Sequence, residues 1–483
     1  MAQLLLILFQ CSLSSYQRSC YLTTEHHFFK SLRGIKMKQL PISKSQAIIA
    51  AASGLLSLTL SATQAHAAGA IPSLTGYDIN ESSFLKDNGI TVNGNANAGI
   101  TYNGNNPTNG FNGPVTFGDR SSEFQLNQLN LSIQKAVATE GDKWSFGGRF
   151  DAMFGTDSIF TQAYGVPAYN VNSPGQALSR NNWDLNILGT AGNRFYGIAL
   201  PQAYLETYVP VGNGLDVKLG HFYTPIGYET VPANENFFYT HAYTMQYGEP
   251  FTHTGALGNY AFSSNWSAMG GVTTGSSTGG WDGGFNQQLS NWSGIGGVTW
   301  TSNDKGSSAN VSGTYGAASS LSSHAWAMYS IVLKHNFTDK THFVLQHDHG
   351  FANAVYGANG TIQDAQWYGV NSHLYYDIKD NLSIGMRAEW FRDQNGFRVA
   401  QAGRIAGALN GSGYSYAGQY YGGAAASYYE LTWGVNWKPV SWLNLRPNVR
   451  YDRVDGTQAG TAYTPFGGQI DQVLFSNDFI VTF

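Results

Sequence analysis

From about residue 92 to its last residue, the chain reads as sixteen strand-like segments joined by connections that are alternately short and long. The short connections fall at 138–142, 211–213, 263–264, 303–306, 338–340, 379–381 and 441–442. The long ones fall at 104–122, 156–196, 226–253, 276–290, 317–324, 351–364, 394–427 and 455–471. Most segments are near the roughly 9–11 residues that a tilted strand needs to cross a bilayer. The alternation predicts an all-β, up-and-down antiparallel barrel with short periplasmic turns, long extracellular loops and both ends on the turn side. A soluble sandwich gives no reason for it.

The faces of the segments agree. In 143–155, Trp144, Phe146, Phe150 and Phe154 share one parity while Arg149 and Asp151 share the other. In 382–393, Leu382, Ile384, Met386 and Trp390 oppose Arg387, Glu389 and Asp393. In 443–454, Leu443, Leu445, Val449 and Tyr451 oppose Arg446, Arg450 and Asp452. Successive side chains of a strand point to opposite faces, so this is a sheet with one apolar and one polar side. Closed into a barrel, such a sheet spans lipid without an unpaired backbone edge. Composition supports the same class: charged residues are 12%, against about 25% in an ordinary soluble domain.

Residues 37–67 have the layout of a secretory signal. Lys38 and Lys44 supply positive charge, 47–60 is an apolar run, and Ala65-His66-Ala67 is a small-x-small cleavage pattern. Met37 directly precedes it, so Met37 is the expected start and residues 1–36 an upstream extension without a structural role. Cleavage after Ala67 leaves a periplasmic lead-in over 68–90 and the barrel over 91–483. Both cysteines, Cys11 and Cys20, are then lost, which excludes disulfides and cysteine metal sites from the mature chain. The mature chain keeps 20 of 26 basic and 29 of 30 acidic residues. That acidic balance, without a basic stripe, argues against a nucleic-acid partner.

The chain ends on Val473, Phe475, Phe479, Val481 and Phe483 at every second position, broken by Asn477. Ending on an aromatic, this stretch resembles the terminal signature of outer-membrane proteins delivered to the barrel-assembly machinery, which makes Phe479, Val481 and Phe483 the expected assembly signal. As the last strand it should pair with the first. The run Leu215–Glu229, LDVKLGHFYTPIGYE, and the run Gln246–Gly255, QYGEPFTHTG, resemble a passage of the OmpL-like putative β-barrel porin-2 family. Membership would imply a porin-like channel in the outer membrane and brings no catalytic residues with it.

Loop 226–253 carries Glu229, Glu235 and Glu249, no Lys or Arg, and seven aromatic residues including Tyr243 and Tyr247. Such a loop is ill suited to free water. One reading folds it into the lumen as a constriction, with its acids facing Arg149, Lys218, Arg387, Arg446 and Arg450 on the wall; charged linings tune pore selectivity. The other packs it on neighbouring loops and pairs the wall charges among themselves, Arg149 with Asp151 and Arg387 with Glu389. His347-Asp348-His349 places two histidines at strand spacing, but on the parity of Phe343 and Leu345, so no metal site is expected. Gly275–Gly279 matches GxSxG, without the helix that a nucleophile elbow requires.

The chain is therefore expected to be a non-enzymatic outer-membrane porin without cofactors, passing small hydrophilic solutes or ions through a water-filled lumen. Its expected partners are outer-membrane lipid, the barrel-assembly machinery and, by analogy with sixteen-stranded general porins, two further copies in a homotrimer. The rivals are a closed structural or adhesive barrel acting through its surface loops and, less favoured, an outer-membrane hydrolase.

Overall fold

A computed structural model describes residues 69–108, 110–161, 196–274, 292–319, 322–356, 362–399, 424–458 and 460–483. Sixteen long strands form one antiparallel sheet. They are β1 (Ile90–Asn103), β2 (Phe124–Lys135), β3 (Ser145–Gly155), β4 (Gly197–Val209), β5 (Leu215–Tyr223), β6 (Thr252–Ala261), β7 (Trp266–Thr274) and β8 (Trp292–Thr301). There follow β9 (Ser307–Ser319), β10 (Ser322–Thr338), β11 (Thr341–Tyr356), β12 (Ile362–Lys379), β13 (Leu382–Asp393), β14 (Ala425–Val440), β15 (Leu443–Gln458) and β17 (Asp471–Thr482). A two-residue strand, β16 (Thr461–Ala462), extends β15. Lengths are uneven: β5 and β7 have 9 residues, whereas β10, β11 and β12 have 17, 16 and 18.

Each long strand pairs with its neighbours in sequence, and the last strand pairs with the first. The β1–β17 ladder runs from Asn95 opposite Thr482 to Asn103 opposite Leu474. Phe483 continues it: its N–H donates to Gly94 O at 2.9 Å, and Gly94 N–H donates to Phe483 O at 2.8 Å. The Phe483 ring lies over Gly94, where a Cβ would stand 2.2 Å from Cε2. Past the chain end, the Asn80 side chain stands in for a strand; Val92 N–H donates to its Oδ1 at 2.7 Å and its Nδ2 donates to Val92 O at 3.0 Å. Residues 69–89, with short helices at Ala70–Thr75 and Ser83–Asn88, thus close the turn-side end of the seam.

Alternation places apolar side chains on the outside. Leu129, Leu131, Ile133, Phe146, Leu205 and Trp433 are exposed there, as a lipid-facing surface requires. The inner face carries Arg387, Glu430, Arg446, Arg450, Asp452 and Asp478, all buried. Several connections differ from expectation; loop 351–364 is shortened because β11 runs to Tyr356 and β12 starts at Ile362, and loop 455–471 because β15 runs to Gln458. Loop 317–324 shrinks to 320–321, because β9 and β10 keep pairing up to Ser319 opposite Ser322. The turn at 138–142 widens to 136–144, because Ala138 N–H donates to the Ser145 side chain at 3.0 Å instead of to a strand backbone.

Candidate functional site

Segment 224–251, between β5 and β6, packs against the inner face of the barrel. Its core positions Tyr243, Thr244, Met245, Gln246, Tyr247, Glu249 and Phe251 are buried. Three wall arginines hold it. Arg387 of β13 donates to Glu229 Oε1 at 2.6 Å and to Thr240 O at 2.9 Å, and pairs with Glu430 of β14 at 3.0 Å. Arg446 of β15 donates to the carbonyls of Ala233, Asn236 and Phe238 at 2.9, 2.7 and 3.1 Å, while Asp478 of β17 takes its other nitrogens. Arg450 donates to His241 O at 2.6 Å and pairs with Asp452 at 2.8 Å. A guanidinium presents five donors in a fixed fork, so one side chain can satisfy a carboxylate and several loop carbonyls at once.

The acceptors are matched as closely. Glu389 takes the backbone N–H groups of Tyr243 and Thr244 at 2.6 and 2.5 Å, at the start of the π-turn Thr244–Gly248. An anion there satisfies donors that a helical turn leaves without partners. Tyr243 donates its hydroxyl to Asp452 at 2.8 Å, and Tyr247 donates to Pro114 O at 2.6 Å. Gln128 of β2 takes Ala233 N–H at 2.9 Å and donates to Val231 O at 3.0 Å. Trp367 of β12 donates to Gly248 O at 3.0 Å. Burial alone would push the Glu229 carboxyl up; the Arg387 guanidinium, helped by His241, outweighs it and holds Glu229 well below the usual carboxylate range.

The expected site residues fall into two groups. Arg387, Arg446 and Arg450 have side chains at most 1% exposed and are consumed in pinning the segment. Arg149 and Lys218 remain 28% and 26% exposed, paired with Asp151 at 2.8 Å and Glu206 at 3.6 Å. Of the loop acids, Glu229 meets Arg387, whereas Glu235 is exposed on the 3-10 turn Ala233–Glu235. Among the described residues Glu249 forms no ion pair; it lies beside Gln346 and Asp348 of β11. The expected Arg387–Glu389 pairing does not form, because Arg387 reaches diagonally to Glu430 and Glu389 serves the loop backbone. His347 and His349 face outward beside Tyr329, while Asp348 between them is buried on the inner side. Arg398 also binds the segment, donating to Tyr247 O at 2.6 Å. The GxSxG match at 275–279 lies outside the described residues.

Sequence reasoning missed Gln128, Trp367, Gln346 and Asp452 as partners of the segment. Their one advance signal was parity, since each lies on the polar face of its strand.

A closed sixteen-strand antiparallel barrel with an apolar outside and a charged, hydrogen-bonded interior is the architecture of a porin-type transmembrane channel. Residues 89–483 match the sequence model of the family described as putative β-barrel porin-2, OmpL-like, and the chain belongs to that family. An outer-membrane location follows from family and fold. No curated protein matches the chain by sequence. Solved structures with a similar barrel include OprB of Pseudomonas putida, at TM-score 0.47 and 12% identity over 83% of this chain and 96% of that one. Another is the anion-selective porin of Comamonas acidovorans, at TM-score 0.46 and 9% identity over 82% and 99%. A third is the channel DcaP of Acinetobacter baumannii, at TM-score 0.46 and 12% identity over 82% and 97%. At such identities nothing about solutes carries over.

Proposed function

We propose that the protein is a passive diffusion pore for small hydrophilic solutes or ions, with its lumen narrowed by segment 224–251. The observation that carries this reading is the segment's attachment, by buried ion pairs and hydrogen bonds, to the inner wall from β2 to β17. What stays open to water carries charge of both signs: Glu235 on the segment, and Arg149 and Lys218 on the wall. Charged groups that line a pore set its ion selectivity. Glu235→Gln should therefore shift reversal potentials toward anions in planar bilayers, and Arg149→Gln with Lys218→Gln toward cations. Reversal potentials unchanged in both variants would remove these residues from the selectivity set.

One observation favours a closed barrel instead. Tyr204, Phe222, Leu257, Met269, Ile295 and Met328 of the inner wall pack with Ile226 of the segment as an apolar cluster. Liposome swelling separates the two readings: a pore admits small sugars and amino acids, and a closed barrel admits none.

Residues 37–67 act in this reading as the export signal, with Met37 the start and cleavage after Ala67. The outward face meets outer-membrane lipid, three copies associate, and Phe479, Val481 and Phe483 address the chain to the assembly machinery. The seam contacts of Phe483 support an assembly role. Deleting Phe483 should lower the amount of folded protein in the outer membrane and leave the conductance of the assembled fraction unchanged, as seen by heat-modifiable gel mobility and bilayer recording.

A further inference from the structure

Strand β13 carries a guanidinium on each of its faces. Arg387 points inward and is buried, whereas Arg392 shares the outward parity of Ile384, Met386 and Trp390. From Leu382 at the turn-side end, the rise to Arg392 is about 26 Å, at about 3.4 Å per residue and about 40° of tilt. That sets Arg392 at the outer edge of an apolar band about 25 Å tall. Aromatic rings surround it there. Tyr368 of β12 lies directly opposite Arg392, and one pleat below Trp390 lies opposite Tyr429 of β14. Trp390 and Tyr429 are exposed, and the Trp390 and Tyr368 ring centroids are 5.6 Å apart. Tyr and Trp rings of this kind settle at the level of lipid headgroups.

The guanidinium is oriented by neutral oxygens. Its Nε donates to Gln394 Oε1 at 3.0 Å, and its Nη1 stands 3.5 Å from Ser427 Oγ of β14. The Tyr368 hydroxyl donates to the same Gln394 oxygen at 3.2 Å. Among the described residues no carboxylate forms an ion pair with Arg392. Asp393, next in the chain, faces inward and takes the N–H groups of Phe397, Arg398 and Val399. Asp455 shares the outward face but stands two strands away, about 10 Å at the usual strand spacing. Asp364 lies further out along β12. Arg453, the neighbouring outward arginine on β15, differs in having Asp471 opposite it in register. Arg392 is thus a fixed positive charge at the lipid boundary, and an anion of the membrane complements it.

We propose that Arg392, oriented by Gln394 and Ser427 and flanked by Tyr368 and Trp390, binds the phosphate of a lipid headgroup in the outer leaflet. The acyl chains of that lipid lie down the face of Trp390, Met386 and Ile384. The site presupposes that the outward face meets outer-membrane lipid, as proposed above, and adds a headgroup preference to it. A guanidinium can meet phosphate oxygens with two parallel N–H bonds, which a neutral or amine-capped headgroup does not repay equally. A terminal phosphate carries more than one negative charge near neutral pH. A choline phosphodiester carries its own cation beside the phosphate and has less to gain from Arg392. The site lies on the outside of the barrel and is independent of whether the pore conducts.

Trp390 supplies a reporter beside the site, because brominated acyl chains quench a tryptophan that they touch. The full barrel is refolded in detergent, and the share of quenching that disappears in Trp390→Phe is followed. That share should reach half its maximum at a severalfold lower mole fraction of brominated phosphatidic acid than of brominated phosphatidylcholine. Arg392→Gln should bring the two lipids within about twofold of each other, since it removes the charge-assisted bonds. Arg392→Lys should keep part of the preference and Arg453→Gln all of it. Inorganic phosphate at the same concentration should leave the quenching unchanged. Equal quenching of the wild type by both lipids overturns the headgroup site alone, whereas no quenching of Trp390 by either lipid overturns the lipid-facing reading with it. A preference that survives in Arg392→Gln also overturns the site, and displacement of phosphatidic acid by inorganic phosphate does so in favour of a free-anion site. If Arg392→Gln fails to fold, the comparison of the two lipids on the wild type decides.

Discussion

Replacing Arg387 by methionine lowers the stability of the folded barrel by about 3–5 kcal/mol, the cost of removing one partner from a buried ionic cluster. Arg387 is fully buried and answers Glu229 and Glu430 together, so its loss strands two carboxylates and the Thr240 carbonyl. Urea unfolding of the refolded protein in vesicles, followed by tryptophan fluorescence, measures the loss. Adding Glu229→Gln and Glu430→Gln to the same chain should recover much of it, because neutral amides no longer require a cation. A single variant within about 1 kcal/mol of wild type would show that water reaches this cluster and screens it.

Excising residues 229–248 and bridging the gap with a short Gly/Ser linker should raise single-channel conductance severalfold and admit larger sugars in liposome swelling. The wall that remains is rich in Arg, Glu and Asp, which water can solvate once the segment is gone, so the barrel itself should still close through its strand ladders. Planar-bilayer recording decides the matter. Unchanged conductance would mean that residues 229–248 lie outside the path of ions, and that the narrowing belongs to the apolar cluster around Met269 and Ile295.

The barrel was legible in the chain because its two determinants are local. A period of two marks each strand, and the length of each connection marks its end of the barrel. Arg149 and Asp151 show where local reading also succeeds for contacts: two positions apart on one face, they pair at 2.8 Å. Arg387 shows where it fails. The same spacing offered Glu389, but Arg387 pairs with Glu430, which the sheet register sets opposite Glu389. Register across strands more than thirty residues apart is not written in a period. The aromatic, base-free composition of 226–253 marked the segment as one that avoids water. Which wall residues would receive it depended on how far each strand slides against the next. Glu249 is the clearest instance, since nothing near it in sequence announces Asp348 and Gln346.

The uneven strands have a mechanical consequence. At about 3.4 Å per residue and a tilt of about 40°, a 9-residue strand stands about 23 Å tall and a 17-residue strand about 44 Å. The arc from β5 to β8 therefore barely matches an apolar band of about 25 Å, while the arc from β10 to β12 rises well beyond it. A thicker bilayer must thin beside the low arc, and two low arcs that meet share that deformation instead of each bearing it. Membrane thickness thus becomes a force with a direction on this barrel. In lipids of increasing chain length, copies should draw together through β5–β8, and cross-links placed there, rather than on β10–β12, should rise in yield with acyl length.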